Sequence, residues 1–441
     1  MLQNNILYYI IMQIRIVSND YIHFFKNYLE NNLAYPFDNP CFNMSFCKFY
    51  NHQYLFCVRN VIPYKQLIKK EKLYPGISEY FLKMSKYHIE NNLSNMYIWD
   101  WVNYYESNIF FVGNINEKSL KIEVNKNITP YVLISPSYSY KIPPYLENKL
   151  ISKQHIITME DFRLFFSNNI AYVYDSNINT IHQIVMNNNM LFLKKLHIGI
   201  CEINIKNNGT LLKNNNEYSK IFEKNWSLYS VKKKKEEIEF KFIHDFEENG
   251  LYGVNYYSNK KKCKKEKLIH YPKFTFPINS SFVRFSLTSP CISYKENIYM
   301  GIGHIKINFN IQKNNKNNMN EKDVYFIKMA LEIHKKMRFL YKKNYRPHKK
   351  YIYMNYLFEY NSVNKTFYIS DLLLPIPKYD YYFSLSYLMS IHKINDHFIL
   401  SGGLGDYVNI MIKMTENEWK QKIKYNISNL NVTSLQYMII E

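Results

Sequence analysis

The sequence predicts an all-β fold, a five-bladed β-propeller with helical and loop insertions, and three observations carry that reading. Apolar stretches of strand length dominate, separated at short intervals by Asn, Gly and Pro turn signals. No alternation of strands with amphipathic helices occurs that would build parallel βαβ units. One grammar recurs: a polar residue at the mouth, a strand, an Asn-rich turn and a second strand. Five such units of about 60–90 residues favour radial repetition over a two-layer sandwich. In a propeller the inner strands of all blades open onto one funnel, and the unusual polar residues of each unit fall at strand ends.

Residues 1–35 read as an extension that packs on the propeller, with a strand-like start and a helical piece at Tyr21–Asn32. The propeller is expected over 36–414. Asn39-Pro40 opens its first unit, with strands at Phe42–Phe49 and Tyr54–Arg59 about a turn at Tyr50–Gln53. Both Pro36 and Pro40 precede the strand, where a missing donor does no harm. Residues 66–95, rich in Lys, Glu, Leu and Met at helical spacing, read as an insertion. Strand patterns return at Met96–Trp101 and Ile109–Val112, and 135–149 is a proline-containing loop.

The clearest unit is Met159–Asp175. Glu160, Asp161 and Arg163 stand before an apolar run, and Asn168-Asn169 turns the chain into a second run, which is a β-hairpin with a charged mouth. Strands follow at Ile181–Val185 and Ile198–Ile205. After Lys224-Asn225-Trp226 comes a Lys-rich connection (232–235), then strands at Ile238–His244 and Leu251–Tyr257. The run Lys260–Lys267 is expected to be a solvated hairpin tip.

Ser281–Pro290 holds Arg284 and leads to a strand at Tyr299–Ile307 with His304. A polar loop at about 310–325 precedes a helical or extended segment to Tyr345 and strands at Tyr351–Tyr360 and Lys365–Leu373. The last unit has strands at Tyr381–Leu388 and His397–Ser401, a turn at Gly402–Gly405, Asp406, and a strand at Tyr407–Met414. Residues 415–441 form a C-terminal segment.

With 441 residues, 47% of them apolar and 17% aromatic, the chain can bury a large core and is not of disordered composition. Its net charge of +21 would fit nucleic acid. Yet the lysines are scattered in a chain crowded with Asn, Ile, Tyr and Phe, as an AT-rich coding sequence produces, and no recognition helix or RNP-type signature occurs. Nucleic acid is therefore not the expected partner. Cysteines at 41, 47, 57, 201, 263 and 291 have neither C-x-x-C nor zinc spacing; free thiols in a reducing compartment are expected, without metal or other cofactor. No signal peptide and no apolar run of transmembrane length is found.

The mouth residues are Asn39, Arg59, Glu160, Asp161, Arg163, Lys224, His244, Arg284, His304 and Asp406. Singly each has a plainer explanation: Arg59 a surface residue, His304 a hydrogen-bonded core histidine, Asp406 a turn carboxylate. Gathered in one funnel, carboxylates and asparagine suit sugar hydroxyls, and Arg, Lys and His suit a phosphate. Trp226 offers a stacking face for a sugar ring.

These stretches resemble, in order, glycoside hydrolase family 130, the five-bladed β-mannoside phosphorylases and hydrolases, and the related β-1,2-mannosyltransferases of glycosyltransferase family 108. NPCFNMSFCKFYNHQYLFCVR is similar to the family's opening, and Glu160-Asp161-Phe162-Arg163 to its E-D-P-R signature with Phe for Pro. Lys224-Asn225-Trp226 is similar to a Lys-containing blade start, with His244 at about the family's distance. RFSLTSPCISYKENIYMGIGH resembles R-G-G-x-P-P-I…Y-H-G, and SGGLGDYVNI resembles G-A-A-D-T-V.

The resemblance spans about residues 36–414. It implies that Asn39, Arg59, Asp161 and Asp406 hold the glycosyl unit, with Glu160 and Trp226 beside them. It further implies that Arg163, Lys224 and His244 bind phosphate or a sugar nucleotide, and that Arg284 and His304 complete the rim. The implied chemistry is inverting glycosyl transfer or phosphorolysis of a mannoside-like substrate. The family's glycine-containing stretch with the general-acid Asp has no counterpart here. Asp100, between Trp99 and Trp101, is the candidate acid, since burial beside the two rings would raise its pKa as such an acid needs; its plainer explanation is a surface carboxylate in a strand. The alternative is a catalytically inactive propeller that binds glycan or serves as a scaffold.

Overall fold

The computed structural model describes residues 13–16, 41–63, 104–136, 162–175, 180–195, 226–234, 237–247, 250–257, 262–271, 280, 282–309, 319–346, 351–376, 382–383, 385–405 and 408–440. The class is as expected: mostly strand, few helices, sheets in a propeller-like arrangement. Two compact units divide the chain. The larger holds Met1–Val17, Phe42–Phe46 and Asn225–Glu441, the smaller Ser18–Cys41 and Cys47–Lys224.

The first strands are β1 (Gln13–Ile16), β2 (Cys41–Lys48), β3 (Tyr54–Pro63), β4 (Tyr104–Asn116), β5 (Lys121–Val124) and β6 (Tyr131–Pro136). In the smaller unit β3, β4 and β5 run in antiparallel order, with β6 also on β4. Its second sheet is an up-and-down blade of β7 (Arg163–Ser167), β8 (Ile170–Asp175), β9 (Thr180–Asn187) and β10 (Met190–Lys195). Asn168 and Asn169 have φ of 52° and 60°, and Asn188 and Asn189 47° and 59°. Both two-residue connections thus have the left-handed backbone of a type I′ turn, which asparagine tolerates and strand twist favours. The first turn is the one the sequence announces. Phe110, Val112, Leu164, Val173 and Ile184 fill this unit's core.

In the larger unit β11 (Ser227–Lys234), β12 (Glu237–Glu247), β13 (Gly250–Tyr257) and β14 (Lys262–His270) form a second up-and-down blade. Here two expectations are corrected. Lys232–Lys234 and Lys262–Lys267 are strand rather than connection or hairpin tip. These lysines sit on the two outer strands of the sheet, where charge discourages pairing with another chain. Lys265 bonds Glu247 and stands 4.4 Å from the Tyr252 ring centre.

The next sheet is built on β15 (Val283–Leu287), β16 (Ile292–Lys295) and β17 (Ile298–Asn308), followed by helix α1 (Glu321–Tyr341). A capping box starts α1: Asn320 accepts from the Asp323 amide at 2.8 Å, and the Asp323 carboxylate accepts from the Asn320 amide. After α1 come β18 (Tyr345–Arg346), β19 (Tyr351–Asn361), β20 (Thr366–Ile369), β21 (Leu372–Pro375) and β22 (Tyr382–Phe383). The chain closes with β23 (Ser386–Ile394), β24 (His397–Leu404), β25 (Val408–Thr415), α2 (Glu416–Lys422), β26 (Tyr425–Asn426) and β27 (Tyr437–Ile440).

Four blades are distinguished rather than the five expected. One expected unit does not repeat the four-strand pattern: β15, β16, β17, β19, β20, β21, β26 and β27 join in a single sheet of eight strands. One face of that sheet is apolar along its length. Val283, Phe285, Ile305, Ile307, Ile352 and Met354 pack with Phe326, Ala330, Ile333 and Met337 of α1. On the other face Met300, Ile302 and Leu357 pack with Leu388, Ile391, Phe398 and Ile410 from the β23–β25 blade. Each such side chain contributes about 1.5–3 kcal/mol on full burial.

The turn expected at Gly402–Gly405 is corrected as well. Gly402 and Gly403 lie within β24, and the left-handed residue is Gly405, with φ 62°. A Cβ on Gly403 would stand 2.4 Å from Asn43 Oδ1, so the glycine lets β2 approach. There Met44 N donates to Asn409 Oδ1 at 3.0 Å and Ser401 Oγ donates to the Met44 carbonyl at 2.8 Å.

Candidate functional site

The site is built on the alternation of β15, β17 and β19. In register, Ser286 pairs with His304 and His304 with Asn355, so three buried polar side chains form one row across the sheet. One pleat further on, Arg284 pairs with Lys306 and Lys306 with Tyr353. These rows continue the face that Ile302 and Leu357 bury against the neighbouring blade. Along each strand, then, this face runs from apolar to polar.

His304 is held on three sides. Its Nδ1 is 2.8 Å from Thr288 Oγ1. The Tyr353 ring stacks on it at 5.5 Å and Tyr387 meets it edge-on at 4.9 Å. Asn355 fixes Tyr387 by gripping the residues on either side: its Nδ2 donates to Ser386 Oγ at 2.8 Å, and its Oδ1 accepts from Leu388 N at 2.9 Å. A bulge in β23 between Leu388 and Ser390 accompanies this grip, as bulges commonly re-aim neighbouring side chains. Lys306 Nζ lies 3.9 Å from the ring centre of Tyr351.

A second pair of expected residues stands on the blade of β11–β14. Trp226, just before β11, packs edge-on to His244 of β12, centres 5.0 Å apart. The bulge between Ile243 and Asp245 falls at His244. This pair is tied to the His304 row through the segment after β15. Ser227 Oγ donates to the Ser289 carbonyl, and Cys291 N donates to the Leu228 carbonyl at 2.7 Å. Ser289 Oγ in turn accepts from Ile302 N at 2.8 Å. Burial pushes the Cys291 thiol up to about 12, with a hydrogen bond from Ser227 acting the other way.

Of the expected site residues, then, Trp226, His244, Arg284 and His304 belong to the larger unit. Arg59 and Arg163 belong to the smaller one. Arg59, half-buried on β3, pairs in register with Asn108; Arg163, fully buried at the start of β7, pairs with Tyr174. Asn39, Asp100, Glu160, Asp161, Lys224 and Asp406 lie outside the described residues. Ser286, Thr288, Lys306, Tyr353, Asn355, Tyr387 and Asn409 were not anticipated. One signal could have found some of them: Ser286 and Lys306 lie two residues from Arg284 and His304, hence on the same strand faces.

Chemically the arrangement offers two cations opposite each other, hydroxyls and an imidazole in the adjoining row, and aromatic faces beside both. Like charges directly opposite are unfavourable in a strand pair, and an anion between them would relieve the repulsion. The two rows carry no carboxylate. On the same face of β19 the first one is Glu359, whose pKa burial raises while Lys295 and Lys420 act against that rise. Among the described residues no group of three His, Cys, Asp or Glu is placed to hold a metal ion.

No protein-family model matches the chain, and no curated protein does. Solved structures similar to it include glycoside hydrolases and mannoside phosphorylases at low identity. A glycosyl hydrolase from Bacteroides ovatus is 9% identical, with 88% of this chain and 87% of that one covered at a TM-score of 0.40. A mannose phosphorylase from Leishmania mexicana, in complex with phosphate ion, is 9% identical, with 88% of each chain covered at 0.37. The β-1,2-mannobiose phosphorylase of Listeria innocua, in complex with β-1,2-mannobiose, is 9% identical, with 87% and 92% covered at 0.37.

Proposed function

We propose that the chain is a glycan-active protein whose Arg284–Lys306 and Ser286–His304–Asn355 rows bind a mannoside-like sugar together with a phosphate or sugar-nucleotide group. The reaction class is phosphorolysis or glycosyl transfer. The observation that supports this most is the register, which sets two cations opposite each other one pleat from buried hydrogen-bonding groups and two tyrosine rings.

In this reading Arg284 and Lys306 donate to phosphate oxygens, and Ser286 and His304 meet sugar hydroxyls. Tyr353 or Tyr387 lies against the ring. A phosphate oxygen forms a bond to the anomeric carbon from one face. On the other face the glycosidic C–O bond breaks, and the departing oxygen takes a proton from a carboxylic acid. Asp100 and Asp161 are the residues that the sequence words nominate for the acid and for holding the sugar. With GDP-mannose as donor the same cations would hold the diphosphate as it leaves, the chemistry of glycosyltransferase family 108.

A second reading, glycan or sugar-phosphate binding without turnover, is favoured by the lack of a carboxylate in the two rows. One experiment separates them. The protein is incubated with mannose 1-phosphate plus mannose, and with GDP-mannose plus mannose, and binding is followed by calorimetry beside product analysis. Product that disappears in R284Q/K306M supports the enzyme. Binding without product, lost in the same variant, supports the scaffold. Neither binding nor product overturns both.

A further inference from the structure

The outward side of α1 is not the polar face expected of a helix packed on a sheet. Phe339 is 80% exposed, Leu340 54% and Leu331 47%. Lys335, Arg338, Lys342 and Lys343 are exposed around them, and Lys336 is half-buried. Counting from Leu331, positions four, seven and eight residues on are Lys335, Arg338 and Phe339, which share one stripe of the helix, and Lys342 is the residue that caps its end. Among the described residues none of the five cations has a carboxylate within ion-pair distance. The nearest acid in sequence, Glu332, lies close enough to Tyr437 to add to the rise that burial gives that phenol's pKa, and no Asp or Glu follows until Glu359. The local field is felt by His334, whose pKa is lowered by burial and further by Arg338.

Cations at the end of a helix complement its dipole, but the dipole gives no reason for apolar side chains among them. An apolar tip ringed by lysine and arginine is the composition of an element that lies in a bilayer interface. There the cations meet anionic headgroups while the apolar groups enter the acyl boundary. We propose that the C-terminal end of α1 is a docking surface for an anionic phospholipid bilayer. The contact is peripheral: no helix among the described residues is long and apolar enough to cross a membrane. A nucleic acid would meet the same cations and could stack one base on Phe339, but Leu331 and Leu340 have no face for a second.

The test is co-sedimentation of the full chain with vesicles of phosphatidylcholine, with and without phosphatidylserine. Binding is expected only with phosphatidylserine and should weaken as salt is raised. R338Q/K342Q should lose about fivefold per removed cation, and F339S about tenfold or more. All these side chains are exposed, so thermal unfolding should match wild type and serve as the control for folding. The proposal is overturned if the folded wild type ignores phosphatidylserine vesicles. It is also overturned if free phosphoserine competes as well as vesicles bind, or if F339S binds vesicles as wild type does. Salt-sensitive binding to RNA without vesicle binding would assign the patch to nucleic acid instead.

Discussion

Arg284 on β15 and Lys306 on β17 stand directly opposite each other in an antiparallel pair, and among the described residues Arg284 has no carboxylate partner. Removing Arg284 should relieve repulsion, so R284Q is expected to be more stable than wild type by about 0.5 kcal/mol in low-salt, phosphate-free buffer. Salt should erase the gain. Added phosphate should raise the melting temperature of wild type but not of R284Q. If phosphate stabilises both equally, the pair is no anion site.

Gly303 lies where the Tyr356 ring crosses the sheet; an added Cβ would come 2.1 Å from ring carbon Cζ. The ring cannot simply swing away, because Tyr356 OH donates to the Ser286 carbonyl at 3.0 Å and the side chain is fully buried. Gly303→Ala is therefore expected to cost about 3 kcal/mol by urea unfolding, and Ser286, next to His304, should shift with it. A loss below about 1 kcal/mol would mean the crossing is loose.

Lys422 is 2% exposed, and its ammonium rests 3.1 Å from Met438 Sδ. Burial lowers its pKa to about 8, a fall that Glu418 and Asp371 oppose and Lys424 reinforces. The unfolded chain holds this proton more tightly than the folded one between pH 8 and the usual lysine range, so this group's penalty is full below pH 8 and fades as pH rises. Lys422→Met is expected to stabilise the protein by about 2 kcal/mol at pH 7. The gain should shrink towards pH 10. A gain that stays constant with pH would point to packing alone.

Glu416 has the opposite sign. Hydrogen bonds from Lys420, Tyr294 and Lys393 hold its carboxyl down at about 2. Its contribution is full above the ordinary glutamate range and is lost as pH falls through that range towards 2. Denaturant midpoints of wild type and E416Q should therefore converge as the solution is acidified. Parallel pH profiles would contradict this assignment.

Much of the fold was legible because its signals are local. Asn168-Asn169 announced a turn that φ alone later defined, and alternation in Tyr299–Ile307 and Leu251–Tyr257 marked strands that the structure keeps. Where local signals mislead, a tertiary demand explains it. The lysines of β14 look like a loop but sit on an outer strand, and Gly402-Gly403 look like a turn but make room for Asn43. The site was less legible. Arg284 and His304 could be picked out as unusual, yet their joining with Lys306, Tyr353 and Asn355 depends on register among β15, β17 and β19, which sequence does not encode residue by residue.

The pairing of β1 with β25 sets Ile14 beside Ile412. A contact across such a sequence distance is entropically late: its loop must be closed before the contact contributes anything. During synthesis β1 therefore stays without its partner until β25 has followed it out of the ribosome. Until then the unpaired backbone of β1 is open to strands of other nascent chains.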